Sequence, residues 1–346
     1  MQFHGIIQLL LVTCVLVNTA EGQLPVPAVP DSLHEELPIF IDYEKQVTPY
    51  IFIQVNKRKV KAVFDTGSSG LRILSGALRT GKGDSILSRV NYAYGHGPGV
   101  FRIEGRLVTV PVKLGRLEAP VPVRIMRIDS CRYERGGPWT CTYDSTTIAS
   151  GHFRDCPAII GVGLRARASL NGIVSPLAQL PGDGKFIIEF PVYGGRQGRL
   201  IINPTEEEAK DFTLFHLKPG KEPLTGRFGS WLDNELNGCM IINGNGFCHP
   251  TLLDSGSPDS RISSNEVTGS IEVPPGNMLM KFSDRLDPLT VAAARLTMTG
   301  REGGNKSYVS LAATDQGEGN LFGVQAFFAF DVLYDLQNGY IGLKPK

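Results

Sequence analysis

Apolar and polar positions alternate with a period of two along much of the chain, in runs too short for anything but strands. Ile51 to Val55, Leu107 to Leu114, Val121 to Ile125, Phe186 to Phe190, Leu200 to Ile202, Phe212 to Leu217 and Leu296 to Met298 each read this way. Forty Gly and 23 Pro punctuate them as turns. Helical spacing is confined to Pro204 to Asp211 and Gln325 to Phe328. The pattern predicts a mainly β protein.

Two apolar runs end alike. Ala62-Val63-Phe64 leads into Asp65-Thr66-Gly67-Ser68, and Thr251-Leu252-Leu253 leads into Asp254-Ser255-Gly256-Ser257. Either tetrapeptide alone is an ordinary turn, with Gly supplying positive φ and Asp capping its own backbone. Each is followed downstream by two apolar residues and Gly, at Ile159-Ile160-Gly161 and Leu321-Phe322-Gly323. The chain is therefore a degenerate internal repeat whose aspartates stand 189 residues apart. Two similar lobes are expected, 23–209 and 210–346, with the crossover near Glu207 to Asp211 after the Gly-rich hairpin Tyr193 to Gly198.

At 346 residues and 42% hydrophobic, the chain is long enough for two cores. Its 35 basic and 34 acidic residues nearly cancel, so charge gives no pull toward nucleic acid or an anionic membrane. The dense basic run Lys57-Arg58-Lys59-Val60-Lys61 lies between strand patterns and reads as a solvated hairpin turn. Residues 1–22 hold an apolar stretch, Ile6 to Val17, then small residues, which predicts a secretory signal and a secreted or secretory-lumen protein without a membrane anchor. In that oxidising compartment Cys239 and Cys248, flanking a Gly-Asn turn, are expected to form a disulfide. Cys131, Cys141 and Cys156 leave one further pairing and one thiol. His152 with these cysteines lacks zinc spacing, so no metal is expected.

Two facing carboxylates about 3 Å apart repel by about 5 kcal/mol at an effective dielectric of about 20. They share one proton over a broad acidic range. The ionised member can take a proton from water while the other polarises a carbonyl, a route to peptide hydrolysis with no covalent intermediate and no cofactor. Glycine beside each aspartate lets the backbones approach, and the hydroxyls of Thr66, Ser68, Ser255 and Ser257 can donate to carboxylates or brace the loops.

At these residues the chain resembles the pepsin-like aspartic peptidases, from about Pro38 to the C-terminus. Phe64 to Ser69 is similar to the family's first active-site loop and Leu253 to Ser257 to its second. The closing segments Phe327 to Asp335 and Asn338 to Leu343 are similar to its last strands. The resemblance implies a bilobal fold of two pseudo-symmetric β-barrel-like lobes around a central cleft, with Asp65 and Asp254 catalytic in a monomeric endopeptidase acting on polypeptides. It also implies a flap at Tyr94-Gly95-His96-Gly97, with Tyr94 covering the substrate. Where the family usually carries Trp to bond that tyrosine, this chain has Arg72, whose guanidinium is expected to stack on Tyr94 or to act on the dyad through its charge. Pro98 and Pro258 also depart from the family pattern. The alternative is a catalytically silent pepsin-like fold that binds a polypeptide or inhibits another secreted enzyme.

Gly161-Val162-Gly163-Leu164-Arg165-Ala166 mimics a dinucleotide fingerprint without the βαβ unit that would support it. None of the loop serines sits in a Gly-x-Ser-x-Gly elbow. Asn305-Lys306-Ser307 is a glycosylation sequon.

Overall fold

Asn56 and Lys57 both have positive φ, 48° and 64°, and so make the two-residue turn whose twist matches paired strands. That turn joins β2 (Thr48–Val55) to β3 (Arg58–Asp65) as an antiparallel hairpin, preceded by β1 (Glu35–Asp42). Of the basic run only Lys57 lies in the turn, and Arg58 to Lys61 belong to β3. Lys59 and Lys61 lie on the face of β3 where their ammonium groups cover the Phe52 and Tyr50 rings at 4.2 and 4.1 Å, which leaves the rings shielded at the sheet surface. The computed structural model describes residues 31–44, 46–78, 86–94, 101–133, 156–166, 172–274, 276–298, 309–314 and 319–346.

After β3 the chain turns through the first Asp loop into β4 (Ser69–Leu74). A long hairpin follows, β5 (Ile86–Tyr94) and β6 (Phe101–Val110). Pro111 interrupts the apolar run 107–114, because it cannot donate to the ladder, and splits off β7 (Val112–Leu114), which pairs with β8 (Leu117–Glu118). β9 (Val123–Tyr133) then runs beside both β4 and β6. β10 (Ala158–Val162) inserts between β3, to which it is parallel, and β4. Every residue of β10 is buried, as expected of a strand paired on both edges and covered on both faces.

β11 (Lys185–Glu189) and β12 (Gln197–Ile202) form the Gly-rich hairpin, and α1 (Glu206–Ala209) follows, capped by Thr205 and Glu208 in a reciprocal capping box. β13 (Thr213–His216) forms an edge of the first sheet. A second sheet holds β14 (Leu236–Ile242), β15 (Asn245–Leu253), β16 (Ser260–Ser264), β17 (Ser270–Glu272), β18 (Gly276–Ser283), β19 (Val291–Met298), β20 (Val309–Ala313) and β21 (Asn320–Phe322). The buried helix α2 (Gln325–Ala329) leads to β22 (Phe330–Asp335) and β23 (Tyr340–Pro345).

The fold is mainly β, and the described residues form two sheets of fifteen and eight strands. The closing strands do not rejoin the eight-stranded sheet. β22 pairs with β11, and β13 with β23, so strands from both ends of the chain share one sheet. One large apolar cluster extends from Ile39 and Phe64 through Phe186, Phe282 and Phe322 to Leu343. The expected disulfide is present: Cys239 and Cys248 lie opposite each other on β14 and β15 with sulfurs 2.08 Å apart. Cys131 is also disulfide-bonded, and Cys156 is buried. Among the described residues no helix is long and apolar enough to cross a membrane.

Candidate active site

Asp65 ends β3 and Asp254 follows directly on β15. The two approaches are built alike. β10 runs parallel to β3 with Gly161 opposite Asp65, and β21 runs parallel to β15 with Phe322 opposite Leu253. The backbone repeats the likeness: Gly163 N–H donates to the Ser68 carbonyl at 2.8 Å, and Val324 N–H to the Ser257 carbonyl at 2.8 Å. The apolar-apolar-Gly segments therefore hold the far side of each loop.

The loops grip each other through two fully buried hydroxyls. Thr66 Oγ1 donates to the Leu253 carbonyl at 2.8 Å and accepts from Ser255 N–H at 2.9 Å. Ser255 Oγ donates to the Phe64 carbonyl at 2.8 Å and accepts from Thr66 N–H at 3.1 Å. Each side chain thus satisfies two backbone groups of the other loop that have no water to fall back on. Repeat symmetry and polar satisfaction impose the same geometry.

Each loop glycine lies against the opposite carboxylate. A Cβ added at Gly67 would stand 2.3 Å from Asp254 Cγ, and one added at Gly256 would stand 2.5 Å from Asp65 Oδ1. Only glycine fits at either place. Asp65 is 6% exposed and Asp254 half-buried.

The surroundings of the two aspartates differ. Gly67 N–H donates to Asp65 Oδ1 at 2.8 Å, and the Ser68 hydroxyl donates to Oδ2. At Asp254 the corresponding serine contributes its backbone N–H, 3.1 Å from Oδ1, while its hydroxyl donates to the Asp259 carbonyl at 2.8 Å. Of the four hydroxyls expected to serve carboxylates or brace loops, Thr66 and Ser255 brace, Ser68 serves Asp65, and Ser257 turns to its own loop.

A buried and a half-buried cation flank the first loop. Arg72, fully enclosed, donates to Ser68 Oγ at 3.1 Å, the Ser69 carbonyl at 2.6 Å and the Gly70 carbonyl at 3.3 Å. Its guanidinium carbon lies 4.1 Å from the centre of the Tyr92 ring. The guanidinium thus stacks on Tyr92 of β5, a partner the sequence did not single out. Arg165 donates to the Gly67 carbonyl at 2.9 Å and pairs with Asp233 at 2.5 Å. Asp233 Oδ2 in turn accepts from Leu164 N–H at 2.6 Å. Tyr334 packs beneath. Burial pushes its phenol up, the charges of Asp233 and Asp254 push the same way, and the hydrogen bond with Thr66 and the charge of Arg165 oppose them.

Neither Arg165, met only in the dinucleotide-like run, nor Asp233 had a place at the site in the sequence pattern. Their signal was thin: an Arg directly after Gly163-Leu164, and an Asp in a polar turn far from either motif. Tyr94 ends β5, but its side chain, with Gly95, His96, Gly97 and Pro98, lies outside the described residues, as do the sequon at Asn305, Cys141 and the segment 1–22. His34, Glu36 and Glu208 come close enough to share an ion, yet Glu208 already accepts from His34 and from Thr205.

No family model matches the chain, and no curated protein sequence matches it. Among solved structures it is similar to an aspartic proteinase from Irpex lacteus, with a TM-score of 0.60 and 14% identity over 90% of this chain and 97% of that one. The likeness is one of fold: two β lobes arranged as in a pepsin-like aspartic proteinase.

Proposed function

We propose that the protein is an aspartic endopeptidase in which Asp65 and Asp254 hydrolyse internal peptide bonds. The reading is carried by one observation, the reciprocal seating of each carboxylate against the other loop's glycine under the Thr66–Ser255 grip. One carboxylate takes a proton from water as its oxygen attacks the carbonyl carbon, and the protonated partner donates to the carbonyl oxygen. Collapse of the tetrahedral adduct breaks the C–N bond and returns a proton to the leaving amine. Substrates are polypeptides with apolar flanking residues, cleaved under acidic conditions by a secreted monomer with lobes 23–209 and 210–346. The flap of this reading carries Tyr94.

A silent pepsin-like binding protein is the second reading. It is favoured by Arg72, a guanidinium one hydroxyl away from Asp65 at a position where the family usually carries Trp.

The test is cleavage of a diverse peptide library by the mature protein from pH 2 to 8, with and without pepstatin, beside Asp65→Asn and Asp254→Asn. Pepstatin-sensitive cleavage lost in both variants supports the peptidase. Cleavage retained in either variant rejects the dyad, and silence of the folded native protein supports the binding reading.

A further inference from the structure

Arg72 occupies a place where a cation is costly to bury. It sits on β4 with Met126 of β9 and Ile159 of β10 as its register neighbours, among apolar strands. β5 stands three strands away from β4 in the sheet, in the order β4-β9-β6-β5, yet Tyr92 of β5 covers the guanidinium. The sheet therefore curls until one arm of the β5–β6 hairpin rests on the residue that holds the first Asp loop.

A guanidinium carries donors and no acceptor. Where Arg72 Nη1 meets Ser68 Oγ, the serine oxygen must accept, and its single proton is left for Asp65 Oδ2. With Gly67 N–H on Oδ1, both oxygens of Asp65 are then acceptors. A neutral partner at position 72 able to accept as well as donate, or a water, would let the Ser68 hydroxyl turn around.

We infer that Arg72 is a positioning residue that fixes the direction of the Ser68–Asp65 hydrogen bond and couples it to the seating of the β5–β6 hairpin through Tyr92. Its part in turnover rests on the peptidase reading; the direction of the hydrogen bond does not. The other groups facing Asp65 are Asp254 across Gly67, Arg165 with Asp233 through the Gly67 carbonyl, and Tyr334 through Thr66. They are common to every variant compared.

The experiment is proton NMR of the full mature protein, native and as Arg72→Met, Arg72→Lys, Ser68→Ala and Tyr92→Leu, with circular dichroism to establish folding. A buried hydroxyl bonded to a carboxylate gives a downfield, exchange-protected resonance, assigned by its loss in Ser68→Ala. We expect Arg72→Met and Tyr92→Leu to shift or broaden it in folded protein, Tyr92→Leu by less, and Arg72→Lys to retain it in part. In the active enzyme, Arg72→Met should also lower kcat about tenfold, with no further loss when Ser68→Ala is added. A resonance unchanged in folded Arg72→Met, or in folded Arg72→Lys should Met not fold, overturns the inference. Absence of turnover in the native protein would reject the peptidase reading while leaving the resonance to decide this one.

Discussion

Thr66 and Ser255 show how much a single hydroxyl can organise when it is fully buried and doubly bonded. Replacing Thr66 by Val keeps the shape but strands the Leu253 carbonyl and the Ser255 N–H. Two unsatisfied buried groups at about 1 to 3 kcal/mol each predict a loss of about 2 to 6 kcal/mol in urea unfolding, with a similar loss in Ser255→Ala. The double variant should cost less than the sum, because both changes break one network. Strict additivity would show that the loops do not act as a unit. Gly67→Ala is expected to be worse for activity than for stability, since its Cβ meets the Asp254 carboxylate, while Gly276→Ala, with open space around it, should leave both unchanged. Measured cleavage and thermal midpoints for the pair check this. Asp65, Asp254 and their glycines were legible in the sequence because each is a local necessity repeated twice. Arg72 was legible as a departure, but its contact with Tyr92 was not: three strands of a curled sheet separate the two residues, and no local spacing encodes that approach.

At the scale of elements, what the chain concealed follows from where its cues are weak. The apolar run Val121 to Ile125 is only the start of β9, whose later part carries Arg127 and Asp129, paired with each other and with Arg106. β19 extends upstream of Leu296 through Ala292-Ala293-Ala294, residues with little strand preference that are held there by pairing with β18. β10 and β21 were visible as apolar runs, but their parallel pairing beside the Asp loops is a long-range fact that no local pattern encodes. The least visible feature is the ion pair of Arg165, after β10, with Asp233, ahead of β14. Asp233 is 2% exposed, and removing one partner leaves the other buried without its counter-charge. Asp233→Leu or Arg165→Met should therefore destabilise by about 3 to 5 kcal/mol, and the pair changed together to apolar residues by much less. Equal losses in the single and double variants would mean that the pair contributes through shape and not through charge.

For the whole molecule, acidity acts on the joints between the sheets. His216 on β13, in the fifteen-stranded sheet, gives its backbone N–H and its ring Nδ1 to Asp284, which follows β18 in the other; both contacts are 2.8 Å. Burial alone raises the Asp284 carboxyl, but the His216 hydrogen bonds and charge outweigh it and hold the group below its ordinary 3.8. A carboxyl lowered in the folded state contributes stability that is present above its unfolded pKa and is lost as pH falls through the folded one. Asp331 has the opposite sign. Burial raises its carboxyl despite Lys346 at 3.2 Å, so this group favours folding more as pH falls through the window just above 3.8. Mild acid is therefore tolerated at the Asp331–Lys346 pair, which lies within the fifteen-stranded sheet, and the lower limit falls to the His216–Asp284 joint between the sheets. Unfolding free energies between pH 2 and 6 should drop most steeply below pH 4 in the native protein. Asp284→Asn should begin lower at pH 6 and fall more gently. If the two curves ran parallel, the acid limit would lie elsewhere, and Glu208, also held down against burial by Thr205 and His34, would be the next carboxylate to replace.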